Sequence, residues 1–254
     1  MKKRVSIFCL LGFILSVLPL QAQQPDPWAE RDTFIFGMPY IGHAVQPRNT
    51  GMISDILKAV FEPEDIDFAH VPHPYKRVLE ELRAGTIHCS LQVKDHYKGV
   101  LQGETTLATY DLSAAYLYKT GFGGVQSLAG KKIAFLHGFG IQSFIPVTFR
   151  AQPVYDLSSA FHMLDRGHVD YVLGDGRLLR DAIDDSDLPS GEFVISGISS
   201  FEVRPIFAPT KDGRRFRAIY DRRMKELIAS GKLVAIMEKH GLGKESINRV
   251  LQAN

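Results

Sequence analysis

Leu79-x-x-Leu82-x-x-Gly85-x-Ile87-His88 and Phe161-x-x-Leu164-x-x-Gly167-x-Val169-Asp170 follow one layout. In each, two apolar residues three apart mark a helix face, a glycine three further on suits the left-handed residue that ends a helix, and a β-branched residue opens a strand. A helix-to-strand unit written twice predicts two similar α/β lobes. Upstream of the first copy, Pro74 is placed to open the helix, and Val78 joins Leu79 and Leu82 in its apolar stripe. Before it come a strand at Ile66 to Val71, a helix from about Met52 to Phe61 with Met52, Ile56, Leu57 and Val60 on one face, and a strand at Thr33 to Gly37. The strand after the first copy, Ile87 to Gln92, alternates Ile87, Cys89 and Leu91 toward one buried face.

Strand alternating with helix is the signature of a parallel, helix-covered sheet. Ser127-Leu128-Ala129-Gly130-Lys131-Lys132 then reads as a turn before a strand at Ile133 to Leu136, where the second lobe starts. After the second copy come a strand near Phe193 to Ser196 and an apolar segment, Val203 to Ala208, stopped by Pro209. A long helix follows through Phe216, Ile219, Tyr220, Leu227 and Ile228, closed by Gly231, and a last short helix runs to Gly241. Residues 113–120 and 198–208 are the expected crossovers. Lobe one is then residues 31–113 with the return segment 206–254, and lobe two is residues 118–198. Two crossovers imply a hinge and a ligand cleft between the halves.

Lys2, Lys3 and Arg4 precede an apolar run from Val5 to Leu18 and then Pro19-Leu20-Gln21-Ala22-Gln23, the order of a cleavable secretory signal, so residues 1–22 are expected to be removed and the product to reside in the periplasm. Phe8 before Cys9 does not fit lipoprotein processing. Losing three cations takes the formal net charge from +2 to −1, which removes support for nucleic-acid or polybasic membrane roles. Cys89 is then the one cysteine left, so no intrachain disulfide is expected.

Gly51-Met52-Ile53-Ser54-Asp55-Ile56, the stretch Arg77 to Ile87, Ser127 to Ala134, and Leu164 to Asp175, in that order and spacing, resemble solute-binding protein family 3, the polar amino-acid-type binding proteins of ABC transporters. The resemblance spans about residues 33–242. It implies the two-lobed type II periplasmic-binding fold, an α/β architecture with a hinge and an interlobe cleft, and a monomer that captures a small molecule and serves an inner-membrane ABC permease. It implies no enzymatic activity and no cofactor. Tyr40 after the first strand and Tyr75 at the second helix lie on the strand-end rim, where rings could sandwich a ligand or pack as ordinary structure. Asp175 matches the family position whose carboxylate holds a ligand ammonium, and equally suits the cap of a helix starting at Gly176.

Two positions depart from the family pattern. Where its amino-acid binders carry a T-x-x-x-x-R segment whose arginine forks onto the ligand carboxylate, this chain has Gln92-Val93-Lys94-Asp95-His96-Tyr97. Tyr97 replaces the arginine, and Lys94 offers only a point charge in place of a planar fork. Phe139, in Gly138-Phe139-Gly140, stands where a threonine is frequent. The expected ligand is therefore amino-acid-like but not a standard α-amino acid, held by Tyr40, Tyr75, Asp175 and by Gln92 or Lys94, with Tyr97 and Phe139 shaping the pocket and Arg77 as an alternative carboxylate partner.

Other chemistries find less support. Gly138-Phe139-Gly140-Ile141-Gln142-Ser143 lacks the third glycine and the distal acid of a dinucleotide fingerprint. His70-Val71-Pro72-His73 has proline between its histidines and no thiolate partners, so no metal is expected. No nucleophile elbow surrounds Ser143. The enzyme alternative is a periplasmic cyclohexadienyl or arogenate dehydratase on the same fold with Asp175 as general acid. A sensory binding module that serves no transporter is the third possibility.

Overall fold

The computed structural model describes residues 32–94, 98–138 and 140–254. The expected signal segment, residues 1–22, lies outside them, as do Tyr97 and Phe139. Strand β1 (Asp32–Gly37), helix α1 (Met52–Phe61), strand β2 (Ile66–Val71), helix α2 (Tyr75–Ala84) and strand β3 (Cys89–Val93) open the fold. Then come β4 (Leu101–Gln102), β5 (Ala108–Leu117), β6 (Lys132–Leu136), β7 (Arg150–Val154), α3 (Leu157–Asp165), β8 (Tyr171–Asp175) and α4 (Gly176–Asp184). The chain finishes with β9 (Phe193–Phe207), α5 (Lys211–Ala229), α6 (Lys232–Lys239) and α7 (Lys244–Gln252).

Both copies of the repeated motif do the same work. Leu79, Leu82 and Ile87 are buried in one, and Phe161, Leu164 and Val169 in the other. Gly85 and Gly167 turn left-handed at φ 78° and 70°, a conformation that costs a residue with a Cβ but not glycine. The chain then enters β3 and β8 respectively. The strand order β2-β1-β3-β9-β5-β8-β6-β7 is correspondingly mirrored about its middle. In one half β1 runs parallel to β2 and β3, with β9 antiparallel to β3. In the other, β6 runs parallel to β7 and β8, with β5 antiparallel to β8.

The apolar cores divide along the same line. One large core gathers residues between Phe34 and Leu107 with residues between Ile206 and Val250. Phe34 lies against Phe61 at 3.8 Å between ring centres and meets Phe216 edge-on at 5.1 Å. Each buried ring of this size contributes roughly 1.5–3 kcal/mol. Two smaller cores lie in the other lobe, one around Phe161 and Leu179, the other around Phe135 and Tyr171.

Several elements differ in extent from the sequence reading. The expected crossover segments, 113–120 and 198–208, fall largely within β5 and β9, which pair antiparallel from Ala108↔Val203 to Leu117↔Phe193 and pass from one core to the other. Their register shifts once, between Leu112 and Ser113, so that Ile198 is the extra residue on β9. The strand after Gly85 begins at Cys89, and just before it His88 N–H donates to the Ile35 carbonyl at 2.9 Å while Ile35 N–H donates to the His88 imidazole at 3.0 Å. Gly231 does double duty, following α5 and capping α6 in the left-handed region. Helix α7 was not foreseen. Among the described residues, no helix is long and apolar enough to cross a membrane.

Candidate functional site

In a parallel α/β sheet, the carboxyl ends of the strands leave a crevice where loops splay apart. Here β1, β3 and β8 end beside the start of β5, and between them lies a cleft of 780 Å³. The lobe built on the large core lines it with Met38, Met52, Ile53, Tyr75, Leu91, Gln92 and Val93, the smaller-cored lobe with Ile141, Phe144, Asp175 and one face of α4.

Tyr75, Gln92 and Asp175, three of the residues singled out by sequence, line this cleft. Tyr75 is 7% exposed, and its hydroxyl donates to the Leu91 carbonyl at 2.8 Å, which fixes its ring against the wall. Gln92 spends its side-chain oxygen on the Val93 N–H at 2.9 Å, so its amide NH₂ is what it can offer a ligand. Asp175 is the last residue of β8 and the cap of α4. Its Oδ1 accepts from the N–H groups of Arg177 at 2.9 Å and Leu178 at 3.4 Å, and its Oδ2 from that of Asp111 at 2.9 Å. Burial pushes the Asp175 carboxyl above its ordinary value, while the three backbone donors pull the other way.

Tyr40, Arg77 and Lys94 are not on the cleft wall. Tyr40 is 51% exposed and meets His70 edge-on at 5.5 Å. The Arg77 side chain is 62% exposed and pairs with Glu81, one helical turn away, at 2.8 Å. Lys94 pairs with Glu202 across the β3–β9 ladder at 3.2 Å.

Other cleft residues escaped the sequence reading. Tyr110 and Asp111 arrive on the unforeseen start of β5. Burial, then the neighbouring Asp175 charge, pushes the Tyr110 phenol far above its ordinary range. Arg177, Arg180, Asp181 and Asp184 share one face of α4 at three- and four-residue spacing, a pattern that was legible as a polar helix face. Two contacts cross the cleft from that helix. His43 Nδ1 lies 3.3 Å from Asp181 Oδ2, and Arg177 Nη2 donates to the His240 carbonyl at 3.1 Å. Burial and then the Arg177 charge lower the His43 pKa, which favours a neutral ring. Arg249 on α7 donates to Asp111 at 2.6 Å and to Glu245 at 2.8 Å. No cluster of three or more histidine, cysteine or acidic side chains with metal-binding geometry occurs among the described residues.

Two lobes with mirrored sheets, joined by two shared strands around a cleft at the strand ends, are the fold of the amino-acid-type periplasmic solute-binding proteins, and solved structures match it. The arginine-, lysine-, histidine-binding protein ArtJ of Geobacillus stearothermophilus superposes with a TM-score of 0.70 at 14% identity, over 86% of this chain and 99% of that one. An ancestral arginine-binding protein bound to arginine gives 0.71 at 16% identity over 84% and 99%. A histidine kinase sensor domain with similarity to periplasmic binding proteins gives 0.71 at 13% identity over 83% and 97%. No protein-family model matches the chain, and no curated protein sequence matches it.

Proposed function

We propose that this protein is a periplasmic solute-binding protein that captures and releases a small polar molecule as its two lobes close and open, and that it presents this cargo to an ABC-type permease. The lobes are taken as residues 31–113 with 206–254 and residues 118–198. The observation that carries the reading is the cleft at the strand ends, walled by both lobes and bridged by His43 to Asp181 and Arg177 to His240. A site closed over by two hinged halves buries a ligand on all sides, which is the geometry of capture.

The ligand we propose is not a standard α-amino acid. Arg77 and Lys94, the cations the sequence offers as alternative carboxylate partners, face Glu81 and Glu202 instead of the cleft. The likeness to a sensor domain supports a second reading, in which the captured molecule is a signal and no permease is involved.

Thermal-shift screening of the purified chain with amino acids, amines, small carboxylates and prephenate tests the proposal. Binding of the native form alone stabilises it by RT ln(1 + [L]/Kd), about 2.7 kcal/mol at a hundredfold excess over Kd. The expected result is a rise in melting temperature with one of these classes, accompanied by compaction in small-angle scattering and reduced in Tyr75→Ala. Turnover of prephenate, lost in Asp175→Asn, would replace capture by catalysis.

A further inference from the structure

The two walls of the cleft differ in chemistry. Lobe one contributes Met38, Met52, Ile53, Leu91 and Val93, with the Tyr75 ring held flat by its bond to Leu91. Beyond His43, the Gln92 amide and the start of β5 with Thr109, Tyr110, Asp111 and Ser113, the polar side chains this lobe adds are Glu245 and Ser246 at the mouth. Charge gathers on α4, at the end of β8, at Asp111 on β5 and at that mouth. The carboxylates of Asp111, Asp175, Asp181, Asp184 and Glu245 line the cleft against the guanidiniums of Arg177 and Arg180, with Arg249 behind. Five carboxylates against three guanidiniums leave an anionic balance among the described residues. Asp184 is exposed, and Asp181 faces a neutral ring rather than a fixed cation. Arg177, the inward guanidinium, is drawn to the His240 carbonyl.

Resting on the reading of the cleft as a site of reversible capture, we infer that its ligand is an organic cation with an apolar body: a primary amine or guanidine carried on an alkyl or aryl frame and lacking an α-carboxylate. The frame lies on the lobe-one wall and the charged head points toward the Asp181 and Asp184 carboxylates of α4. An apolar frame removed from water gains about 25 cal/mol per Å². The head keeps water and a carboxylate at the mouth, where pairing needs no full desolvation. The volume agrees: 780 Å³ falls in the range of sites for drug-sized molecules.

Calorimetry with 3-phenylpropylamine, its isosteric carboxylate 3-phenylpropanoate, ethylamine and L-arginine tests this. The expected result is a Kd for phenylpropylamine at least tenfold below those of phenylpropanoate and ethylamine. Asp184→Asn, a change at an exposed position, is expected to weaken the amine three- to tenfold, and Val93→Asn to weaken it about tenfold, while Val93→Ile restores it. Phenylpropanoate binding as tightly as the amine, no amine binding at millimolar concentration, or amine affinity unchanged in both Asp184→Asn and Val93→Asn would overturn the inference. L-Arginine binding with the amine silent would overturn it and leave reversible capture standing. Prephenate turnover with none of the four probes bound would overturn both.

Discussion

Lobe one and lobe two carry the same strand-helix plan, yet they are stabilised differently and offer the cleft different surfaces. Lobe one gathers Phe34, Phe36, Phe61, Phe68, Phe207 and Phe216 into one continuous core and presents an apolar wall. Lobe two splits its core on either side of its sheet and presents α4, whose outer face is charged. The difference follows from what closes each sheet. Helices α1, α5 and α6 pack together over lobe one and bring Phe61 and Phe216 onto Phe34. Between β6 and β7, the described residues of lobe two hold a short 3-10 turn at Ile141–Phe144 where lobe one has α1.

The largest effect is expected where the lobe-one core is densest. Phe216→Ala leaves Phe34, Phe61 and His88 without their shared partner and should cost about 3–5 kcal/mol in urea denaturation. A loss below 1 kcal/mol would show that this core is no more committed than those of lobe two.

A smaller effect should appear on acidification, again in lobe one. Burial lowers the His88 pKa below its ordinary 6.5, with Arg215 adding to this and Asp32 and Asp212 opposing it. The folded state therefore prefers the neutral ring, and the unfolded state binds the extra proton in the window below 6.5. Stability is fully present above 6.5 and falls as pH drops through the lowered value. Protonation of Nδ1 also removes the acceptor of the part-buried Ile35 N–H. Melting curves from pH 7.5 to 5 should show this slope, and it should flatten in His88→Gln. Because His43 and His70 are lowered by burial too, a residual slope should remain.

The smallest effect is expected at the two cations that sequence singled out. Arg77→Ala and Lys94→Ala remove exposed pairs outside the cleft, so each should change stability by no more than about 0.5 kcal/mol and leave ligand affinity within twofold by calorimetry. A larger loss of affinity would return lobe one to the list of charged walls.

Legibility in the sequence followed local pattern. Met52–Phe61 and Ile66–Val71 match the expected bounds because each carries a complete one-face stripe or a short apolar run and ends in a turn. Strands β5 and β9 hid because their middles read Tyr110-Asp111-Leu112-Ser113 and Ser196-Gly197-Ile198-Ser199-Ser200, stretches without a regular apolar alternation whose order comes from pairing with each other. Helix α7 hid because it buries only Ile247 and Val250. At the cleft, strand-end logic reached Tyr75 but also named Tyr40, which lies off the wall, while the family resemblance led to Gln92 and Asp175. The sequence reading misplaced Arg77 and Lys94 relative to the cleft because their acidic partners, one turn away and across a ladder, decide where long side chains lie. Tyr110 and Asp111 depend on β5 and were beyond reach without it.

The register shift between Leu112 and Ser113 gives the paired strands a mechanical character. A ribbon of two strands resists stretching through its hydrogen bonds but yields to torsion, and an extra residue already over-twists it. Under the proposed closure, turning one lobe against the other would wind or unwind a spring without breaking a rung. The resting angle of such a spring would be set by its own coil, here Gly197 and Ile198, neither of which lines the cleft. Lengthening or stiffening that coil retunes how wide the mouth stands at rest and leaves the walls themselves unaltered.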